Sequence, residues 1–332
     1  MLSAAPIPLE VMRAFGLPGE CSQTRLGGTK NVNYRIETAG GCVLARRRHP
    51  DYCSPAWIGF DHAGLAHLSQ ASAAVCEPLK CVEGASWFEH EGDLYEVFPW
   101  VSGNEFVQSE KSVRSVGERL ADLHCACVGF GLDPPIKGGR PRAETSPVRL
   151  QETIAHGLCL PRRHAEVAAY YTEQVTIAAE RLTDQVYFSL PGVIVHGDVQ
   201  PANTIFSGSC LKRFVDYDWL NIQPCVYDLA FAAIMFCGRR ESPVDGTDIW
   251  SLSQPFIFDE HLVEQFLQAY CARFGELSAD SRRALLEQLR LTWAHIRVDG
   301  ARKVPREQRA AFLSRDLERP FAWIDAKPAD WI

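Results

Sequence analysis

The apolar pattern of this chain changes period near residue 100, so a sheet-rich part must pack against a helix-rich part. Before that point, short runs of alternating apolar residues are separated by turns: NVNYRIETAGGCVLAR, then DLYEVFPWV. A period of two marks strands, and Gly40-Gly41 between two such runs marks a hairpin. One helical segment, 57–71, lies between them, with Leu65 and Leu68 at helical spacing. After residue 103 the stripes are helical. Val113, Val116, Leu120 and Leu123 form the first, and Tyr171, Val175, Ala178, Leu182 and Val186 the second. Leu262, Phe266, Tyr270 and Phe274 follow, then Leu286, Leu289, Trp293 and Ile296. The pattern predicts an α+β chain in two lobes. Residues 1–98 form a small β-dominated lobe with one helix, 99–103 a hinge, and 104–332 a larger, mostly helical lobe. The Pro- and Gly-rich stretch 131–149 reads as a long loop or the start of an insertion.

With 332 residues there is enough chain for a large core and two lobes. The net charge of −7 argues against a broad nucleic-acid footprint, and the basic run Arg46-Arg47-Arg48-His49 is short. No run of 18 or more apolar residues suggests a membrane span, and the first twenty residues lack the basic and apolar regions of a signal peptide. The expected location is the cytoplasm. The twelve cysteines include no CxxC pair, so metal-site spacing is absent. They read as reduced, mostly buried thiols.

One strand-rich island, 193–216, interrupts the helical half. VIV (193–195) reads as a buried strand, and TIF, SGSC and LKRFVD (204–216) as a hairpin. Asp198 sits in the loop before the hairpin, Asn203 at its start and Asp216 at its end. Folding back on a tight turn returns the last two to one edge. Mg²⁺ takes one or two oxygen ligands from protein and the rest from phosphate and water, which suits Asn203 and Asp216. Asp198 is then free to accept a hydroxyl proton. Asp and Asn at strand ends also serve simply to cap turns.

HGDVQPAN followed by FVDYDW and then YDLA resembles the signature of the aminoglycoside phosphotransferase and choline kinase superfamily, which includes homoserine-kinase-like enzymes. The resemblance implies a protein-kinase-like fold, ATP or GTP with Mg²⁺, and phosphoryl transfer to a small-molecule hydroxyl. It makes Asp198 the catalytic base and Asn203 and Asp216 the metal ligands. His196 then packs and orients the loop, and Asp228 ties the loop down from a helix start. Asp218 is a candidate second carboxylate near the metal.

In the first lobe, LGGTKNVNY resembles the nucleotide loop of the same family, with Gly28, Thr29 and Asn31 facing phosphate, although these residues also suit a plain hairpin. CVLARRRHP resembles the strand whose cation grips the phosphates. Alternation places Leu44 and Arg46 on one face, so Arg46 is the candidate and Arg47 the alternative. The helix that should supply a Glu partner for that cation has none, and Asp61 is its only carboxylate. YEVFPWVSG resembles the hinge, with Phe98, Trp100 and Val101 around the base. His124 reads as structural.

The acceptor is less legible. The acids of 241–280 suggest a wall that favours a cationic acceptor such as an aminoglycoside or other amine, although charge runs are usually solvated faces. Trp250, Phe256 and Phe258 suit either an apolar pocket or the core. A non-catalytic nucleotide-binding module rests only on the missing Glu. A protein kinase lacks support, because there is no HRD-type loop and no DFG. Oligomeric state is not legible.

Overall fold

The computed structural model describes residues 5–27, 30–71, 74–133, 142–328 and 331. Its first part contains helix α1 (Leu9–Ala14), strands β1 (Ser22–Arg25), β2 (Val32–Thr38) and β3 (Gly41–Arg47), helix α2 (Pro55–Gln70), and strands β4 (Phe88–His90) and β5 (Asp93–Pro99). The five strands form one antiparallel sheet in the order β1-β2-β3-β5-β4. Alternation divides β2 by face: Val32, Tyr34 and Ile36 are buried in a cluster with Val11 and Met12 of α1. On the other face Asn33, Arg46 and Glu96 stand in register across β2, β3 and β5. The expected helix is α2. It opens on Ser54 with Pro55 in its first turn, and it buries Leu65 and Leu68 as anticipated.

The second part runs through α3 (Glu110–Cys125), α4 (Pro147–Glu152), α5 (Ala165–Arg181), α6 (Asp184–Ser189), β6 (Gly192–Val195), β7 (Thr204–Ser207), β8 (Cys210–Phe214) and β9 (Asn221–Pro224). It continues with α7 (Val226–Phe236), β10 (Gly238–Arg239), β11 (Ile257–Phe258), α8 (Glu260–Phe274), α9 (Ala279–Arg302), α10 (Arg309–Ser314) and α11 (Arg319–Asp325). The stripe Val113, Val116, Leu120 and Leu123 is fully buried in α3, which a Ser109–Ser112 capping box starts. The second stripe breaks where the chain does. Helix α5 stops at Arg181, Leu182 leaves helical geometry, and Val186 lies 42% exposed in α6. Within 131–149, residues from Pro147 onward are helical rather than loop.

The island is larger than its sequence suggests. β6 pairs with β9, beyond residue 216, while β7 and β8 make a separate hairpin. The segment after β5 approaches that hairpin closely: Asn104 bridges Phe206, and a Cβ on Gly103 would lie 2.4 Å from the Phe206 carbonyl oxygen. Only four of the twelve cysteines are buried, three are exposed, and the rest are partly covered, which corrects the expectation of mostly buried thiols. Phe256 and Phe258 are core residues, and Trp250 packs edge-on against Phe312. No helix among the described residues is long and apolar enough to cross a membrane.

Candidate active site

The β7–β8 hairpin delivers the two expected metal ligands to one place. Its ladder pairs Thr204 with Phe214, and one further bond, from the Val215 N–H to the Asn203 carbonyl, sets Asn203 beside Asp216. Asp216 adopts φ +66, a left-handed conformation that costs a non-glycine residue on the order of 1 kcal/mol or more. Asn203 donates its amide hydrogens to the Asp198 carbonyl (2.9 Å) and to Asp198 Oδ2 (2.8 Å). That leaves the Asn203 carbonyl oxygen and the Asp216 carboxylate as hard donors on one wall, a donor set that fits Mg²⁺. Asp216 keeps 40% of its side-chain surface. Burial pushes its carboxyl up to about 6, against Arg46, with Asp218 and Asp198 adding to the rise.

Asp198 is held from three sides. Gln200 donates to both of its carboxylate oxygens at 2.9 and 2.8 Å, Asn203 adds a third bond, and the Asp198 N–H reaches His196 Nδ1 at 3.3 Å. His196 in turn bonds the Val215 carbonyl through Nε2, and burial lowers its basicity. Asp228, in the first turn of α7, accepts from the backbone N–H groups of His196 (2.7 Å) and Gly197 (2.9 Å). His124 contacts the same carboxylate at 3.2 Å and Tyr270 on its other nitrogen. Both residues therefore act as the scaffolding the sequence suggested. Gly197 has φ +85, and a Cβ there would meet the Trp219 carbonyl oxygen at 2.3 Å.

Facing this wall across a cavity of about 510 Å³ is the sheet. Asn33, Leu44, Arg46, Phe98, Trp100 and Val101 line it from the first part, and Asp198, Gln200, Asn203 and Asp216 from the second. The volume lies in the usual range for small-ligand pockets. Arg46 donates to Asp218 at 2.9 Å and to Asp216 at 3.1 Å, while its Nε has no partner among the described residues. A buried guanidinium N–H left over beside two carboxylates fits a phosphate oxygen. Gly28 and Thr29 lie outside the described residues. Asn31 is buried, donating to Asp218 Oδ2 at 2.6 Å and accepting from the His49 N–H at 2.9 Å.

Three findings lay beyond the sequence reading. Arg48, not Arg46, pairs with Asp61: its Nη2 reaches Asp61 at 2.9 Å and its Nε reaches Glu96 at 3.1 Å. Arg47 lies on the other face, bonded to Asp93. Asp218 is a junction between the two parts, accepting from Arg46, Arg48 (3.0 Å) and Asn31. The signal for Arg48 was present, because alternation puts residues 44, 46 and 48 on one side. The third is that five acids of 241–280 are engaged within the chain itself. Asp248 and Asp259 cap helical turns, while Glu260, Glu276 and Asp280 pair with Lys327, Arg282 and Arg283.

The chain is 26% identical over 222 residues to homoserine kinase from Allorhizobium ampelinum, an alignment that spans 64% of this chain and 64% of that relative. By fold it is similar to an aminoglycoside phosphotransferase from Alicyclobacillus acidocaldarius (TM-score 0.68, 16% identity, 98% of this chain and 96% of that one). It is also similar to the microcompartment-associated aminopropanol kinase (TM-score 0.68, 15% identity, 96% and 97%). The expected bilobal, protein-kinase-like fold is therefore the observed one. A family model described as the phosphotransferase enzyme family matches residues 23–286, and the chain belongs to that family.

Proposed function

We propose that this protein transfers the γ-phosphoryl group of ATP or GTP, with Mg²⁺, to a hydroxyl group of a small molecule. The observation that carries the reading is the meeting of Asp198, Asn203 and Asp216 on one wall of the interlobe cavity. Asp198 orients the acceptor hydroxyl and takes its proton as the new O–P bond forms; the bond from γ-phosphorus to the bridging oxygen breaks, and the nucleoside diphosphate leaves. Gln200 and Asn203 fix the carboxylate for that role. Asn203 and Asp216 would hold Mg²⁺, which would supply charge neutralisation at the phosphates. Arg46 presents its spare N–H to a phosphate oxygen, and Phe98, Trp100 and Val101 enclose the base.

The missing helix Glu does not favour a non-catalytic module, since Arg46 is paired by Asp216 and Asp218 without it. For the acceptor, an amino alcohol or hydroxy amino acid is the reading best supported, because relatives named homoserine kinase and aminopropanol kinase share the family and fold. An antibiotic acceptor is the second reading, resting on the likeness to an aminoglycoside phosphotransferase. A coupled ADP-release screen over homoserine, 1-amino-2-propanol, choline, simple sugars and kanamycin separates them. Asp198→Asn should abolish transfer to whichever acceptor works while keeping nucleotide binding, and wild-type turnover in that variant rejects the role of Asp198.

A further inference from the structure

One loop of the helix-rich part reaches the interlobe cavity without a part in the chemistry above. Residues 240–256 join β10 to β11, and Gly246 and Thr247, exposed at its tip, line the cavity. The loop leaves from beneath the segment that follows β5. There Gln108 Nε2 donates to the Phe236 and Gly238 carbonyls at 2.9 and 3.0 Å, and the Phe106 ring lies against those of Phe206 and Phe236. The loop thus rises on the hinge side of the cavity, where Phe98, Trp100 and Val101 stand.

Its two ends are pinned. Arg240 lies over the Phe256 ring at 4.6 Å, and Arg297 donates to the Leu252 carbonyl at 2.6 Å. The Ser242 N–H bonds Gln254 Oε1 at 2.8 Å. Ser251 Oγ accepts from the Asp245 N–H at 3.0 Å and donates to the Asp245 carbonyl at 3.1 Å. At the tip, Asp245 Oδ1 accepts from both the N–H and the hydroxyl of Thr247, each at 2.7 Å. A hydroxyl has one hydrogen and two lone pairs. With the hydrogen committed to Asp245, Thr247 Oγ1 is left as an acceptor for a donor in the cavity.

Most other polar side chains of the cavity wall are already engaged. Arg46, Arg48, Asp61, His62 and Glu96 are bound to one another or to Asp218. Asp198, Gln200, Asn203 and Asp216 make up the transfer site proposed above. Thr247 belongs to neither group. With the base at Phe98, Trp100 and Val101 and the γ-phosphate at Asp198, the ribose lies between them, and its two hydroxyls are hydrogen-bond donors in need of an acceptor.

We infer that Thr247 accepts a hydrogen bond from a ribose hydroxyl of the nucleotide and so makes the protein prefer ribonucleotides to deoxyribonucleotides. This rests on the phosphotransferase reading. Asp245 is a positioning residue, acting through the Thr247 hydroxyl that it turns. Because the loop is pinned before the nucleotide arrives, little ordering entropy is lost in making the bond.

The test is isothermal titration of the full chain with the Mg²⁺ complexes of ATP, 2′-deoxy-ATP and 3′-deoxy-ATP, which needs no knowledge of the acceptor. The wild type should bind ATP about threefold to tenfold more tightly than one of the two deoxy forms, the net worth of one neutral hydrogen bond. Thr247→Val keeps the shape and removes the hydroxyl. It should weaken ATP by that factor, leave the same deoxy form unchanged and hold the melting temperature. Thr247→Ser should restore the preference, and Asp245→Ala, which frees the hydroxyl to turn, should shrink it. A wild type that binds all three nucleotides equally, or a Thr247→Val variant that keeps the preference, would overturn the inference and leave the phosphotransferase reading intact. So would a loss shared equally by the three, which marks a tip that only shapes the cavity. A wild type that binds none of the three would sink both.

Discussion

Arg46 donates to Asp216 at 3.1 Å across the cleft, so the cation we propose for phosphate is held by the carboxylate we propose for the metal ion. Arg46 is buried, while Asp216 keeps 40% of its side-chain surface. Binding of a metal–nucleotide complex would replace one charge-assisted contact with two, one to each partner. Arg46→Gln should therefore weaken ATP binding by about tenfold to a hundredfold, the worth of a hydrogen bond between charged groups. Arg47→Gln, on the opposite face beside Asp93, should leave it unchanged. Isothermal titration of both variants with Mg·ATP measures this, and equal affinities would reject the assignment of Arg46.

What the sequence reveals about this site depends on how local the geometry is. Asp198, Asn203 and Asp216 are readable because a loop and one hairpin bring them together, and hairpins announce themselves by alternation and turn residues. The scaffolding role of Asp228 is readable from the resemblance that its YDLA motif carries. The partners of Arg48 are not readable, since Asp61 comes from a helix and Glu96 from a strand 48 residues away. The cluster in which one polar atom each of Glu144, His295 and Asp299 lies within 4.8 Å of the others is harder still. Two of its members share a helix face at a spacing of four, but the third lies about 150 residues earlier in a stretch whose Pro and Gly content suggested a long loop or the start of an insertion.

Asp218 offers a stability test of the interlobe junction. It is 6% exposed and accepts from Arg46, Arg48 and Asn31, three groups of the sheet-rich part. Removing one partner of a buried charge network leaves the others uncompensated, at a cost of about 3–5 kcal/mol. Asp218→Asn should lower stability by that order in urea unfolding. A loss under about 1 kcal/mol would mean that the junction contributes little.

Gly197 tests the loop itself. With φ +85 and the Trp219 carbonyl 2.3 Å from where a Cβ would stand, Gly197→Ala must push the loop away from β9's approach. Asp198 moves with it, and a displacement of about 1 Å at a reacting group costs about a hundredfold in rate. The expected result is a fall in kcat of that order with the KM for ATP nearly unchanged, because the sheet side of the cavity is untouched. A variant with wild-type kcat would show that the loop tolerates the shift.

Glu96 gives the pH dependence a definite sign. It is fully buried opposite Arg46 in the sheet. Burial alone would raise its carboxyl, but Arg48, the hydrogen bond to His62 and Arg46 outweigh that and hold it at about 2. The folded state thus binds the proton more weakly than the unfolded chain, whose glutamate titrates near 4.5. The stabilisation is complete above that value and is lost as pH falls toward 2, and it is worth on the order of 3 kcal/mol. Glu96→Gln should remove it at neutral pH and flatten the loss of stability in acid. Urea unfolding of both proteins at about pH 5.5 and about pH 3 measures the difference: the wild type should lose more stability between the two conditions than the variant. Parallel losses would mean that Glu96 does not carry this charge in the folded protein.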